Sequence, residues 1–137
     1  MSRLVIDSSI TLSWCFEDEF DDLARKCLAA LDDTSVRVPE LWLVEIANTL
    51  RMAERKRRIP AAKVDRLISD LAALPIDVSP TPPGYAAGIV ALCRAYDLTA
   101  YDAAYLELAI RDGAMLATRD DALSRAAKGA QVPLFKV

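Results

Sequence analysis

Apolar positions along this chain fall into two rhythms, short dense runs and longer stretches repeating every three or four residues. Leu4-Val5-Ile6, Val36-Arg37-Val38, Ile76-Asp77-Val78, Ala114-Met115-Leu116-Ala117 and Val132-Pro133-Leu134-Phe135 belong to the first kind and predict strands. The second kind predicts helices over about residues 10–16, 21–31, 40–56, 61–74, 85–96, 101–111 and 121–128. In the third of these, Leu43, Ile46, Ala47 and Leu50 stand at i, i+3, i+4, i+7 and form the expected apolar stripe. Pro39 closes a strand, Pro60 suits the first turn of a helix, and Gly113 follows a helix as a C′ glycine would. Pro80-Thr81-Pro82-Pro83-Gly84 reads as a loop leading into a helix.

Strands alternating with helices imply an α/β fold, a mostly parallel sheet of about five short strands with helices on both faces. There is no internal repeat, and 137 residues suit one domain, 1–137. In such sheets ligands bind beyond the carboxyl ends of the strands. Two predicted strands stop on an aspartate there, one at Asp7-Ser8-Ser9 and one at Thr118-Arg119-Asp120.

Composition narrows the chemistry. The chain is 53% hydrophobic and 27% charged, as globular proteins are. No apolar run approaches the roughly 20 residues of a membrane span, and the early acid at Asp7 argues against a signal peptide. A cytoplasmic location is expected. The three cysteines, Cys15, Cys27 and Cys93, are odd in number and form no C-x-x-C pair, so they read as small buried hydrophobes. The absence of histidine removes Ser-His-Asp and Cys-His triads and nearly all catalytic zinc sites. A metal held by oxygen alone would be hard, Mg²⁺ or Mn²⁺. With a net charge of −3, a polyanion would need a local basic patch or metal ions.

Two further acids sit in apolar surroundings, Glu45 within Leu43-Val44-Glu45-Ile46-Ala47 and Asp102 within Ala100-Tyr101-Asp102-Ala103-Ala104. Neither has a Lys or Arg at i±3 or i±4. Four carboxylates at Asp7, Glu45, Asp102 and Asp120 could hold one or two Mg²⁺ ions for in-line hydrolysis of a phosphodiester. Hydroxyls at Ser8, Ser9 and Thr118 could orient a water. Two carboxylates about 5 Å apart repel by roughly 3 kcal/mol at an effective dielectric of about 20, so the cluster calls for a cation. Each acid also has a plainer role. Asp7 could cap the first helix, Asp121 rather than Asp120 the last, while Asp102 and Glu45 could be acids at a helix start.

The blocks Leu4–Ser9, Val38–Leu50, Leu98–Leu106 and Leu116–Leu123, in this order, resemble the PIN-domain family, and more narrowly toxins of the VapC kind. The resemblance spans nearly the whole chain. It implies a three-layer α/β/α fold and an Mg²⁺/Mn²⁺-dependent endoribonuclease with metal-binding acids at Asp7, Glu45, Asp102 and Asp120. Ser9, Thr118 and Asn48 would support the site. It further implies homodimers and a small antitoxin covering the active site. A PIN-like module that only binds a partner is the alternative.

Arg51, Arg55, Lys56, Arg57 and Arg58 form a basic cluster that could contact an RNA backbone or simply end a helix. The acidic run from Glu17 to Asp22 reads as a solvated loop that could meet a basic antitoxin segment. Trp14, Trp42, Tyr101 and Tyr105 read as core or dimer contacts. A receiver domain would want paired acids after the first strand, where this chain has Asp7-Ser8-Ser9. A dinucleotide fold would want G-x-G-x-x-G, which a chain with four glycines lacks.

Overall fold

A computed structural model describes residues 2–136. The terminal Met1 and Val137 of the expected 1–137 domain, and with Met1 the start of the segment read against a signal peptide, lie outside the described residues. Among the described residues four strands form one sheet: β1 (Arg3–Ile6), β2 (Ser35–Pro39), β3 (Ile76–Ser79) and β4 (Met115–Ala117). The helices are α1 (Ser8–Ser13), α2 (Asp22–Ala30), α3 (Leu41–Arg55), α4 (Ala61–Ala72), α5 (Tyr85–Tyr96), α6 (Ala100–Asp112) and α7 (Asp121–Gly129). A 3₁₀ turn, Glu17–Glu19, lies between α1 and α2.

The sheet order is β3-β2-β1-β4, with every pair parallel. Leu4, Val5 and Ile6 are all 0% exposed. Alternate residues of a strand point to opposite faces, so complete burial of three in a row means both faces of β1 are covered. Helix α6 lies along β1, β2 and β4 with α5 behind it, while α3 packs on β2 and joins α1 to α4. The result is the expected α/β/α sandwich.

Chain direction explains where a site can form. From β1 the chain steps outward to β2 and β3, then returns to the opposite side of β1 as β4. The carboxyl ends of β1 and β4 therefore flank the switch point, where the connections diverge and leave a crevice. Asp7 follows β1 and Thr118 follows β4 there, and the Asp7 N–H donates to the Ala117 carbonyl at 3.2 Å.

Three expectations need correction. The fifth strand, Val132–Phe135, docks on β4 but forms only an isolated bridge at Leu134. Pro133 has no N–H to extend a ladder, and the Val132 N–H is taken by Ala127 at the end of α7. Helix α1 was expected over 10–16 but begins at Ser8 and ends at Ser13. Asp7 caps it earlier, and the chain then turns so that the Trp14 indole donates to the Ala24 carbonyl at 2.9 Å and Phe16 enters the core. The apolar stripe of α3 keeps Ile46 and Leu50 as expected but is rotated about the helix axis. Its buried residues are Trp42, Ile46, Leu50 and Ala53, while Leu43 and Ala47 face outward. The Trp42 indole donates to the fully buried Thr11 hydroxyl at 2.8 Å, which anchors the large ring inward and rotates Leu43 out.

Gly113 ends α6 as expected. Its φ of +61° is left-handed, and the following Ala114 N–H reaches back to the Ala109 carbonyl at 2.9 Å.

Candidate active site

Asp7 is 5% exposed and caps α1. Its Oδ1 accepts from the Ile10 N–H at 3.2 Å and from the Ser9 hydroxyl at 2.5 Å. Its Oδ2 accepts from the Thr118 hydroxyl. Burial pushes this carboxyl above the ordinary aspartate range. The three hydrogen bonds oppose that rise, and the charge of Glu45 adds to it.

Thr118 joins two acids, since its oxygen also accepts from the Asp120 N–H at 3.0 Å. Asp120 caps α7 through Oδ2, which accepts from the Leu123 N–H at 2.7 Å. The cap was expected at Asp121, which instead occupies the exposed first turn. Asp120 provides the cap because it is the last residue with extended backbone before α7 starts, so its side chain can fold back on the free N–H groups.

Asp102 lies in the first turn of α6, and the cap is Thr99, whose hydroxyl accepts from the Asp102 N–H at 3.2 Å. Burial raises the Asp102 carboxyl, followed by the charges of Asp120, Asp7 and Glu45. All three other candidate acids thus act on this one group. Glu45 lies in the second turn of α3, beyond the positions where the helix dipole favours an acid. Its Oε1 accepts from the Tyr105 hydroxyl at 2.5 Å. Burial first, and then Glu45, hold that phenol far above its ordinary range, so it is a donor at any physiological pH.

Asn48 is exposed one turn beyond Glu45 on α3. The basic cluster and the acidic run meet each other: Arg58 bonds Asp18 at 2.9 Å and Glu19 at 3.3 Å, and stacks 4.0 Å from the Phe16 ring centroid. Arg51 pairs with Glu54, while Arg55 and Arg57 are exposed. Of the four large aromatics, Trp42 and Tyr105 are core, and Tyr101 is 62% exposed.

Two contributors escaped sequence reasoning. The apolar context of Tyr105 signals a core residue and says nothing of its hydroxyl. Arg119 stands between Thr118 and Asp120, and both its terminal nitrogens bond the Asp21 carboxylate at 2.6 Å. That pairing holds Asp21 well below the usual carboxylate range.

None of the four candidate acids forms an ion pair with Lys or Arg among the described residues. Nor, among those residues, do three carboxylates stand close enough to form a ready-made metal cage. The donor set is all oxygen, four carboxylates and two hydroxyls, which suits a hard divalent cation.

A family model described as PIN domain matches residues 4–129. No curated protein matches the chain. Several solved structures share its fold. A Pyrobaculum aerophilum protein is 22% identical, with a TM-score of 0.72, covering 93% of this chain and 81% of that one. VapBC2 from Rickettsia felis, bound to a DNA fragment from its promoter, is 11% identical with a TM-score of 0.72 and 97% coverage of both chains. A toxin–antitoxin complex from Klebsiella pneumoniae is 19% identical, with a TM-score of 0.62 and coverage of 85% and 86%.

Proposed function

The chain belongs to the PIN-domain family, and on that premise we propose that it is a metal-dependent endoribonuclease, the toxin of a VapC-type toxin–antitoxin pair. PIN domains are generally nucleases, which sets the reaction class as phosphodiester hydrolysis. The observation that carries the finer reading is Asp102, a partly buried carboxylate under the charge of three other acids with no cation beside them.

Asp7, Glu45, Asp102 and Asp120 would hold Mg²⁺ or Mn²⁺. When bound, such an ion supplies an activated water and neutralises charge at the scissile phosphate. The chain's own residues set the geometry. Ser9 and Thr118 clamp the two oxygens of Asp7 from different elements. The cap bond to Leu123 fixes Asp120, and the Tyr105 hydroxyl fixes one oxygen of Glu45. Exposed Arg55 and Arg57 are the members of the basic cluster best placed to take RNA phosphates, because Arg51 and Arg58 already have acidic partners. Cleavage should then weaken as salt rises.

The Klebsiella pneumoniae structure is a toxin–antitoxin complex. By analogy this chain would take a small cognate antitoxin; the family resemblance further implies that the antitoxin covers the acid edge, that the chain forms a homodimer and that it acts in the cytoplasm. No helix among the described residues is long and apolar enough to cross a membrane. The test is cleavage of RNA by the purified protein with and without Mg²⁺ or Mn²⁺. Metal-dependent cleavage that disappears in Asp102→Asn supports the proposal. A well-folded protein inert with both metals would overturn it and leave the partner-binding reading.

A further inference from the structure

The four candidate acids are not held alike. Asp7 and Asp120 are short, and each is fastened to the backbone at the start of its helix, by Ile10 and by Leu123. Asp102 is short and rises from the first turn of α6. Glu45 differs on both counts. It has one more rotatable bond than an aspartate, and it sits in the second turn of α3, where the backbone N–H groups are already bonded within the helix. Left to itself, it would sample several rotamers.

One contact prevents that. The Tyr105 hydroxyl donates to Oε1 of Glu45 at 2.5 Å, across a sequence separation of 60 residues. Tyr105 is 2% exposed, so its ring is fixed by the core. It stands three residues after Asp102 on α6, hence on the same side of that helix. The Ser8 side chain, directly after Asp7, approaches the same phenol. A single ring therefore lies among the neighbours of three acids and bonds the one with the longest side chain.

We propose that Tyr105 is a positioning residue for Glu45, holding one carboxylate oxygen so that the other is presented toward Asp7 and Asp102 as a metal ligand. The inference rests on the reading of the acids as a metal site given above. Partners that orient a metal-ligating side chain typically alter metal affinity by about 10–100-fold when removed. A tyrosine serving only as core would leave metal affinity unchanged when its hydroxyl alone is deleted.

The experiment uses the full chain without RNA. Mn²⁺ binding is titrated by calorimetry and by thermal melting for wild type, Tyr105→Phe, Glu45→Gln and the double variant. The expected result is a weakening of Mn²⁺ binding by at least about tenfold in Tyr105→Phe, with the metal-free melting temperature changed little because the ring remains. In the Glu45→Gln background, Tyr105→Phe should have no further effect, since the group it orients no longer ligates. With RNA, Tyr105→Phe should recover cleavage as Mn²⁺ is raised, with KM for RNA unaltered. Should Tyr105→Phe fold poorly, Tyr105→Met, which also removes the hydroxyl and fills the core with a flexible apolar side chain, serves instead and should show a similar loss of Mn²⁺ affinity.

Wild-type Mn²⁺ affinity in Tyr105→Phe, or equal effects of that substitution with and without Glu45, would overturn the positioning role while leaving the metal site standing. Absence of Mn²⁺ binding by the wild type would overturn both.

Discussion

At one edge of the sheet Asp112 is buried beside a cation; at the other Asp7 is buried beside hydroxyls. Asp112 ends α6, where the helix dipole disfavours an acid, and its side chain is 9% exposed. Arg37, from the middle of β2, reaches both of its oxygens at 2.7 Å, and Arg3 donates to its carbonyl at 3.0 Å. That end is electrostatically closed. Asp7 is buried to a similar degree, yet its partners are Ser9, Thr118 and the Ile10 N–H, none of which cancels its charge. Two more of the candidate acids, Glu45 and Asp102, lie within its electrostatic reach. The difference teaches that burial does not mark a site here; charge left uncompensated does. Arg37 matches the charge of Asp112, whereas among the described residues none of the acids at the other end is paired with Lys or Arg.

The comparison can be broken at either end. The largest effect should come from Asp7→Asn or Asp102→Asn: both should abolish RNA cleavage with circular dichroism unchanged, and retained activity in both would end the catalytic reading. Next is the metal. Mg²⁺ or Mn²⁺ at about a hundred times its dissociation constant should stabilise the fold by about 2.7 kcal/mol, seen as a raised melting temperature. That shift should shrink in Asp7→Asn. At the closed end, Arg37→Met leaves Asp112 without its partner and should cost about 1–3 kcal/mol by urea denaturation, below the range for a fully buried pair because Arg37 is partly exposed. Cleavage per folded molecule should stay the same, and Asp112→Asn added to Arg37→Met should recover most of the stability.

The smallest effect concerns pH. The folded-state carboxyl of Asp102 is raised, so the fold binds its proton more tightly than the unfolded chain does. Its contribution to stability is complete below the ordinary aspartate range and is lost as pH rises through the raised value. In metal-free protein, the melting temperature of wild type relative to Asp102→Asn should therefore fall as pH rises from about 4 to neutrality. Saturating Mg²⁺ should abolish that trend, and a flat difference without metal would show that the acids do not feel one another.

Local signals made much of the fold legible. Strands buried on both faces read as continuous apolar runs, as Leu4-Val5-Ile6 does. Caps and breakers such as Pro60 and Gly113 stand beside the helix ends they mark. What escaped was tertiary. The phase of α3 is set by the Trp42 bond to Thr11, 31 residues away, and no stripe count contains it. Pro133 permits Val132–Phe135 to lie along β4 but denies it a ladder. The candidate acids were legible because Glu45 and Asp102 are charges in apolar company. The long-range partners around them were not, because Tyr105 meets Glu45 across 60 residues and Arg119, beside Asp120, meets Asp21 across 98.

Asp7 and Asp120 each end a strand or loop and start a helix with the same carboxylate. Asparagine caps a helix about as well as aspartate does. It carries no charge, and the two codons differ by a single base. On the toxin reading proposed above, the shortest mutational route to silence therefore preserves the folded protein and every surface it offers a partner. Inactive descendants of this chain should be found as stable proteins with asparagine at these two positions, more often than as truncated or unfolded ones.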